Sequence, residues 1–201
     1  MKFAAPQTAL FLDLETTGLY PGAPGAAILE IGMLAVEVPS FREIASWSSV
    51  VVELGQLGGD VLTGCDDYVR KMHTENGLKA DLEAKAAEMK AGAAGPRLFK
   101  VQQEAIAFYN RHASGRKVYM GGAKPSFDRG WLDHHMAALA AKFHYRDFDT
   151  NAFFILREYL VGVEKCGQRH RVLDDCRQAV RVVHDHFSFM RELFGPKPVA
   201  G

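Results

Sequence analysis

Along the first third of the chain the apolar residues fall in short, nearly continuous runs; along the rest they recur every three or four positions. The runs at 9–12, 28–36 and 44–52 are bounded by turn residues and predict three strands. Short connections between them predict antiparallel neighbours. A Gly/Pro loop at 18–25 follows the first strand, and the Gly-rich stretch 57–64 reads as a further loop. From Asp66 the period becomes helical. Asp66-Asp67 opens a helix that carries Tyr68, Val69 and Met72 and ends near Asn76-Gly77. Leu78, Leu82, Ala86 and Met89 line one face of a second helix over 78–90, and Leu98, Val101, Ala105 and Phe108 that of a third over 98–112. A strand at 118–122 ends in glycines, and a helix over about 126–142 carries Phe127, Trp131 and Leu132. A short strand near Phe148, a helix at 152–160, a loop at 161–168 and a last helix over about 173–194 complete the pattern. Three early strands followed by strand–helix alternation predict one α/β domain over 1–201, a mixed sheet flanked by helices. Its core spans about 8–194, and 195–201 is expected to be a flexible tail.

Composition narrows the partners. The length of 201 residues suits one domain with a substantial core. Lys plus Arg and Asp plus Glu both number 24, so the formal net charge is zero. A protein that grips long duplex by its phosphates usually carries a basic excess. A nucleic-acid ligand is therefore expected to be short or single-stranded. Cys65, Cys166 and Cys176 have neither C-x-x-C spacing nor disulfide-framework density, which fits reduced thiols in the cytoplasm. The N-terminus lacks a signal-peptide core and no run reaches membrane-spanning length, so the expectation is a soluble cytoplasmic protein without a membrane partner.

The chemistry begins where the first strand runs into Asp13-Leu14-Glu15-Thr16-Thr17-Gly18. In a strand Asp13 and Glu15 point the same way. Two carboxylates ~4 Å apart at an effective dielectric of ~20 repel by about 4 kcal/mol, so one takes a proton or a divalent cation neutralises both. A D-x-E pair arises by chance about once in a chain this long, so the pair alone decides nothing. Asp128 at the start of the helix after Gly121-Gly122, Asp175 in the first turn of the last helix and His170 five residues before it can converge with the pair at one sheet edge. Carboxylates plus a histidine, without cysteine, suit two hard ions, Mg²⁺ or Mn²⁺, of the kind that serve in-line displacement at phosphorus. A neutral histidine near the attacking water would be its general base.

Asp13-x-Glu15-Thr16-Thr17-Gly18, Ser126-Phe127-Asp128 and His170-Arg171-Val172-Leu173-Asp174-Asp175 resemble, in order and rough spacing, the three motifs of the DEDDh 3′→5′ exonucleases. The likeness covers most of the chain, from about Thr8 to Phe187, and implies a ribonuclease-H-like fold. Ile28-Leu29-Glu30-Ile31-Gly32 and His73-Thr74-Glu75-Asn76-Gly77-Leu78 are similar to stretches of the oligoribonuclease branch; proofreading exonucleases share the catalytic set. By position, the resemblance makes Asp13 a bridge between two metals, Glu15 and Asp175 the rest of the first site, Asp128 a ligand of the second, and His170 the base. It places Thr16, Thr17, Gly18 and Leu19 beside the 3′-terminal nucleotide, with Leu19 as a wedge, and offers His73, Asn76 and Phe127 as further substrate contacts. It also implies a possible homodimer. Many members carry Asn four residues before the motif-two Asp; here Lys124 stands there.

Each residue also has a bland reading. Asp128 can cap its helix, and Asp174 and Asp175 both favour a helix N-terminus. Asn76 suits a helix end for backbone reasons alone. His134, His135, His184 and His186 read as surface or packing residues, and Lys165, Arg169 and Arg171 as a solvated loop or a phosphate guide. Three functions stay open at this point: an exonuclease releasing nucleoside 5′-monophosphates from short single-stranded RNA or DNA, a proofreading-type subunit acting mainly as a docking module in a replication complex, and a phosphodiesterase for small nucleotides.

Overall fold

The computed structural model describes residues 7–113, 115, 117–162 and 170–194. The expected loop at 161–168, apart from residues 161 and 162, and the tail at 195–201 lie outside the described residues, as do Lys165, Cys166 and Arg169.

Leu10, Phe11 and Leu12 are all completely buried. A strand with three consecutive buried side chains has both faces covered, and it is central. This strand, β1 (Gln7–Thr16), pairs antiparallel with β2 (Ile28–Val38), which pairs antiparallel with β3 (Arg42–Val50). On its other side β1 pairs parallel with β4 (Met120–Gly122), which pairs parallel with β5 (Asp147–Asp149), giving the order β3-β2-β1-β4-β5. The mixed α/β sheet predicted from the apolar runs is thus the observed one. β3 starts and ends two residues earlier than expected; past its end the Val51 amide still donates to Leu29 O of β2 at 2.8 Å, but the Val52 amide turns away to Pro96 O at 3.1 Å.

The helices are α1 (Asp67–Glu75), α2 (Leu78–Lys90), α3 (Leu98–His112), α4 (Pro125–His135), α5 (Ala137–Ala140), α6 (Asn151–Val161) and α7 (Val172–Phe194). One face of the sheet presents Leu10, Leu12, Leu14, Ile31 and Met33 to α3, α4 and α5 through Val101, Phe108, Trp131, Leu132 and Leu139. The opposite face presents Phe11, Leu34 and Val36 to Cys176, Ala179 and Val180 of α7. By strand alternation Asp13 and Glu15 share the face of Phe11, so they point toward α7. α2 is mostly Ala, Lys and Glu; the stripe Leu78, Leu82 and Ala86 seats it on Leu29, Val52 and Leu62. Each fully buried leucine there contributes about 1.5–3 kcal/mol.

The single helix expected over 126–142 is a correction. It divides at Met136, whose backbone leaves the helical region (φ −135°, ψ 49°). Met136 is fully buried with Trp131, Leu132, Leu139 and Phe143, so the chain breaks the helix to keep both halves' apolar residues in one core. Helical periodicity alone does not carry that turn.

Gly32 fits α7 closely: a Cβ there would lie 2.6 Å from Cγ2 of Val172. Gly32→Ala should destabilise the protein by about 1–3 kcal/mol in urea denaturation. Gly130→Ala, at an exposed site in α4 with open space, should instead stabilise by about 0.5–1 kcal/mol.

Candidate active site

Strand register and helix starts build the site. In β1, Asp13 lies opposite Gly32 of β2, and Glu15 lies opposite Glu30. The bare backbone at Gly32 admits Val172, so the first turn of α7 and its Asp175 reach the sheet beside these acids. One ligand atom each of Glu15, His170 and Asp175 lies within 4.8 Å of the others, a spacing that one metal ion would span.

Asp128 arrives from the other side. β4 ends at Gly122, so the amide of Leu14 has no strand partner there. It donates instead to Oδ1 of Asp128 at 3.1 Å. α4 is fastened in turn by Arg129, whose Nε donates to Asp147 Oδ1 at 3.0 Å and Nη2 to His144 O at 2.8 Å.

These acids disturb one another. Burial, then the charges of Asp128, Glu15, Asp175 and Glu30, raise the Asp13 carboxyl well above its ordinary range. Burial and the neighbouring Asp175, Glu30 and Asp128 push Glu15 up to about 8, which Arg171 partly opposes. Burial is the main reason Asp128 stands at about 8, against the hydrogen bond from Leu14. Such a cluster fits a divalent cation: oxygen donors dominate, sulfur is absent from the donor set, and added positive charge relieves the repulsion.

The expected substrate residues divide. Leu19 is 71 % exposed and Tyr20 beside it 74 %, so both stand at the surface. Thr16 and Thr17 are buried and hold the turn: Thr16 Oγ1 donates to Gly18 O at 2.8 Å, and Thr17 Oγ1 accepts from the Ala27 amide at 2.9 Å. Phe127 is half-buried against Trp131. His73 has no exposed surface, so the expectation that it touches substrate does not fit this structure. Its Nε2 lies 3.2 Å from Thr16 O and its Nδ1 3.8 Å from Glu15 Oε2, and burial lowers its pKa. A neutral ring donating from Nε2 braces the end of β1 and leaves Nδ1 facing the Glu15 carboxylate. Asn76 likewise turns inward, its Nδ2 donating to the carbonyl of His170 and its Oδ1 accepting from the Leu78 amide at 2.9 Å. Lys124 is exposed and takes a left-handed backbone (φ 90°) at the cap of α4.

Glu30 is the residue to which the motifs assign no role. It is 4 % exposed and receives Arg171 at two points. Its position opposite Glu15 in an antiparallel pair is the available signal, and it requires the register.

No family model matches the chain. The chain is 28% identical over 200 residues to an oligoribonuclease of Legionella pneumophila, covering 95% of this chain and 98% of the relative. It is 26% identical over 189 residues to the oligoribonuclease of Pseudomonas paraeruginosa, covering 90% and 97%. In fold it is similar to the nuclease domain of 3′hExo, a DEDDh family member bound to rAMP, with a TM-score of 0.59 at 13% identity over 92% of this chain and 94% of that one. Cell-death related nuclease 4 has the same fold at a TM-score of 0.53, with 91% of this chain and 64% of that one covered. The chain therefore has the ribonuclease-H-like fold seen in these nucleases, and its sequence is similar to oligoribonucleases over nearly its whole length.

The raised carboxyls set the pH response. Between their ordinary pKa near 4 and their raised values, the folded protein holds protons that the unfolded chain has released. The stability these acids contribute to the metal-free protein is therefore fully present below about pH 4 and is lost as pH rises through about 8. Thermal melts between about pH 5 and about pH 9 should show this decline, with Mn²⁺ or Mg²⁺ restoring most at the alkaline end; Asp13→Asn should flatten both effects.

Proposed function

We propose that this chain is a metal-dependent DEDDh 3′→5′ exonuclease of the oligoribonuclease type, acting on short single-stranded RNA or DNA and releasing nucleoside 5′-monophosphates. The observation that carries the reading is the convergence of Glu15, His170 and Asp175 ligand atoms within 4.8 Å at the end of a strand that also bears Asp13. The oligoribonuclease relatives, similar over nearly the whole chain, favour short RNA over other substrates of the same chemistry. No observation favours the docking-module alternative.

In this reading Asp13, Glu15, Asp128 and Asp175 hold two ions, Mg²⁺ or Mn²⁺. When bound, such ions supply charge neutralisation at the scissile phosphate and acidify water. The acids' own contribution is to fix that charge at one point, with Asp128 oriented by the Leu14 amide and the end of the Glu15 strand braced by His73 on Thr16 O. His170, half-buried at the mouth of the cluster, accepts the proton of the attacking water. In the same reading Leu19, which is exposed, is the wedge against the terminal base. Exposed Tyr159, Leu160 and Phe187 on α6 and α7 offer apolar surface to the homodimer that the resemblance implies. No described helix is long and apolar enough to cross a membrane, which is consistent with the cytoplasmic setting of the same reading.

A 5′-labelled short RNA incubated with Mg²⁺ or Mn²⁺ should give a ladder that shortens from the 3′ end, and chelator should abolish it. His170→Ala should lower the rate by about 10²–10⁴-fold. Comparison of dinucleotide with longer oligomers, and of RNA with DNA, assigns the substrate. Full activity in excess chelator, or after Asp13→Ala, would refute the mechanism.

A further inference from the structure

His170 is held in a demanding place. Its backbone lies in the left-handed region (φ 51°), which a side chain with a Cβ adopts only when its surroundings fix it. Three ties supply that fixing on the described side of the residue. The Asn76 amide donates to the His170 carbonyl. Val172 fills the space that Gly32 leaves without a side chain. Between them Arg171 donates from Nε to Glu30 Oε2 at 3.1 Å and from Nη2 to Glu30 Oε1 at 3.0 Å, and its Nη2 also reaches Asp81 Oδ2 at 2.8 Å. One guanidinium therefore joins the His170 segment to β2 and α2.

The same contact settles a charge problem. Glu30 sits directly across the strand pair from Glu15, and like charges so placed repel. Glu30 is at least as buried as Glu15, so water does little to screen the pair. A planar fork matched to a carboxylate supplies positive charge at a fixed position, which a lysine cannot do with the same geometry. The sequence alone reads Arg171 as a solvated loop residue or a phosphate guide; its donors are turned onto protein carboxylates instead.

We propose, resting on the exonuclease reading above, that Arg171 is a positioning residue: through its fork on Glu30 and its bond to Asp81 it fixes His170 over the acid cluster and cancels the Glu30 charge opposite Glu15. It acts on the proton-accepting step through His170, and does not bind the substrate phosphate.

The test uses Arg171→Met, Glu30→Gln and the double variant, with kcat and KM measured separately on a short labelled RNA. Arg171→Met should lower kcat about 10²-fold with KM within about threefold of wild type, since a small misplacement of a catalytic group costs that much. The double variant should recover part of the loss, because Glu30 no longer stands unpaired beside Glu15. If Arg171→Met fails to fold by circular dichroism, Arg171→Lys takes its place and should show the same kcat loss in a folded protein. A KM raised tenfold with kcat unchanged, or single-variant losses that simply multiply in the double variant, would overturn the proposal. Histidine ring NMR signals, with that of His170 assigned by His170→Gln, give a readout free of catalysis. Arg171→Met should displace the His170 signal in the free protein, and an unmoved signal would refute the clamp. Should wild type cleave no RNA in either metal, the exonuclease reading fails, while this signal still decides the clamp.

Discussion

Mutual repulsion among carboxylates at the end of β1 is the constraint on which the rest of the structure depends. Asp13 and Glu15 project from one face of a strand whose residues Leu10 to Leu12 are wholly buried, and Glu30 joins them from the neighbouring strand. Left alone, such a group would protonate or push the strands apart. The fold meets it with a backbone and a cationic group: the Leu14 amide on Asp128 and the Arg171 fork on Glu30. What remains uncompensated faces the place where Glu15, His170 and Asp175 converge. That unmet demand for positive charge is what the proposed metal site would use.

The helices are arranged to deliver these groups rather than merely to cover the sheet. α7 can bring Asp175 down only because Gly32 has no side chain under Val172. α4 can present Asp128 only because β4 stops at Gly122 and leaves the Leu14 amide to it. α1 and its C-terminal cap contribute His73 and Asn76 from one short segment, the first reaching Glu15 and the second the His170 carbonyl. The α1 end therefore connects an acid of the cluster with the histidine above it.

Local chemistry is legible in the sequence where period and spacing are enough. Strand alternation alone puts Asp13 and Glu15 on one face, and the resemblance to the third exonuclease motif, with its five-residue spacing, points to His170 and Asp175. The spans of α2 and α3 follow directly from their apolar stripes. Illegible are the pairings that only the folded chain creates. Arg171 meets Glu30 across 141 positions, and Asn76 meets His170 across 94. Nothing local distinguishes an arginine bound to a buried glutamate from one in solvent, or a substrate-facing histidine from one with no exposed surface. The break at Met136 is hidden for a related reason, since core packing, not propensity, ends that helix.

The central claim is that a cluster of mutually repelling, proton-holding acids awaits divalent cations. Isothermal titration of Mn²⁺ into the metal-free protein, in buffers of different ionisation enthalpy near neutral pH, tests it most directly. Binding accompanied by proton release, with both lost in Asp13→Asn, is the predicted result. Absence of binding, or binding with no protons released, would contradict the account.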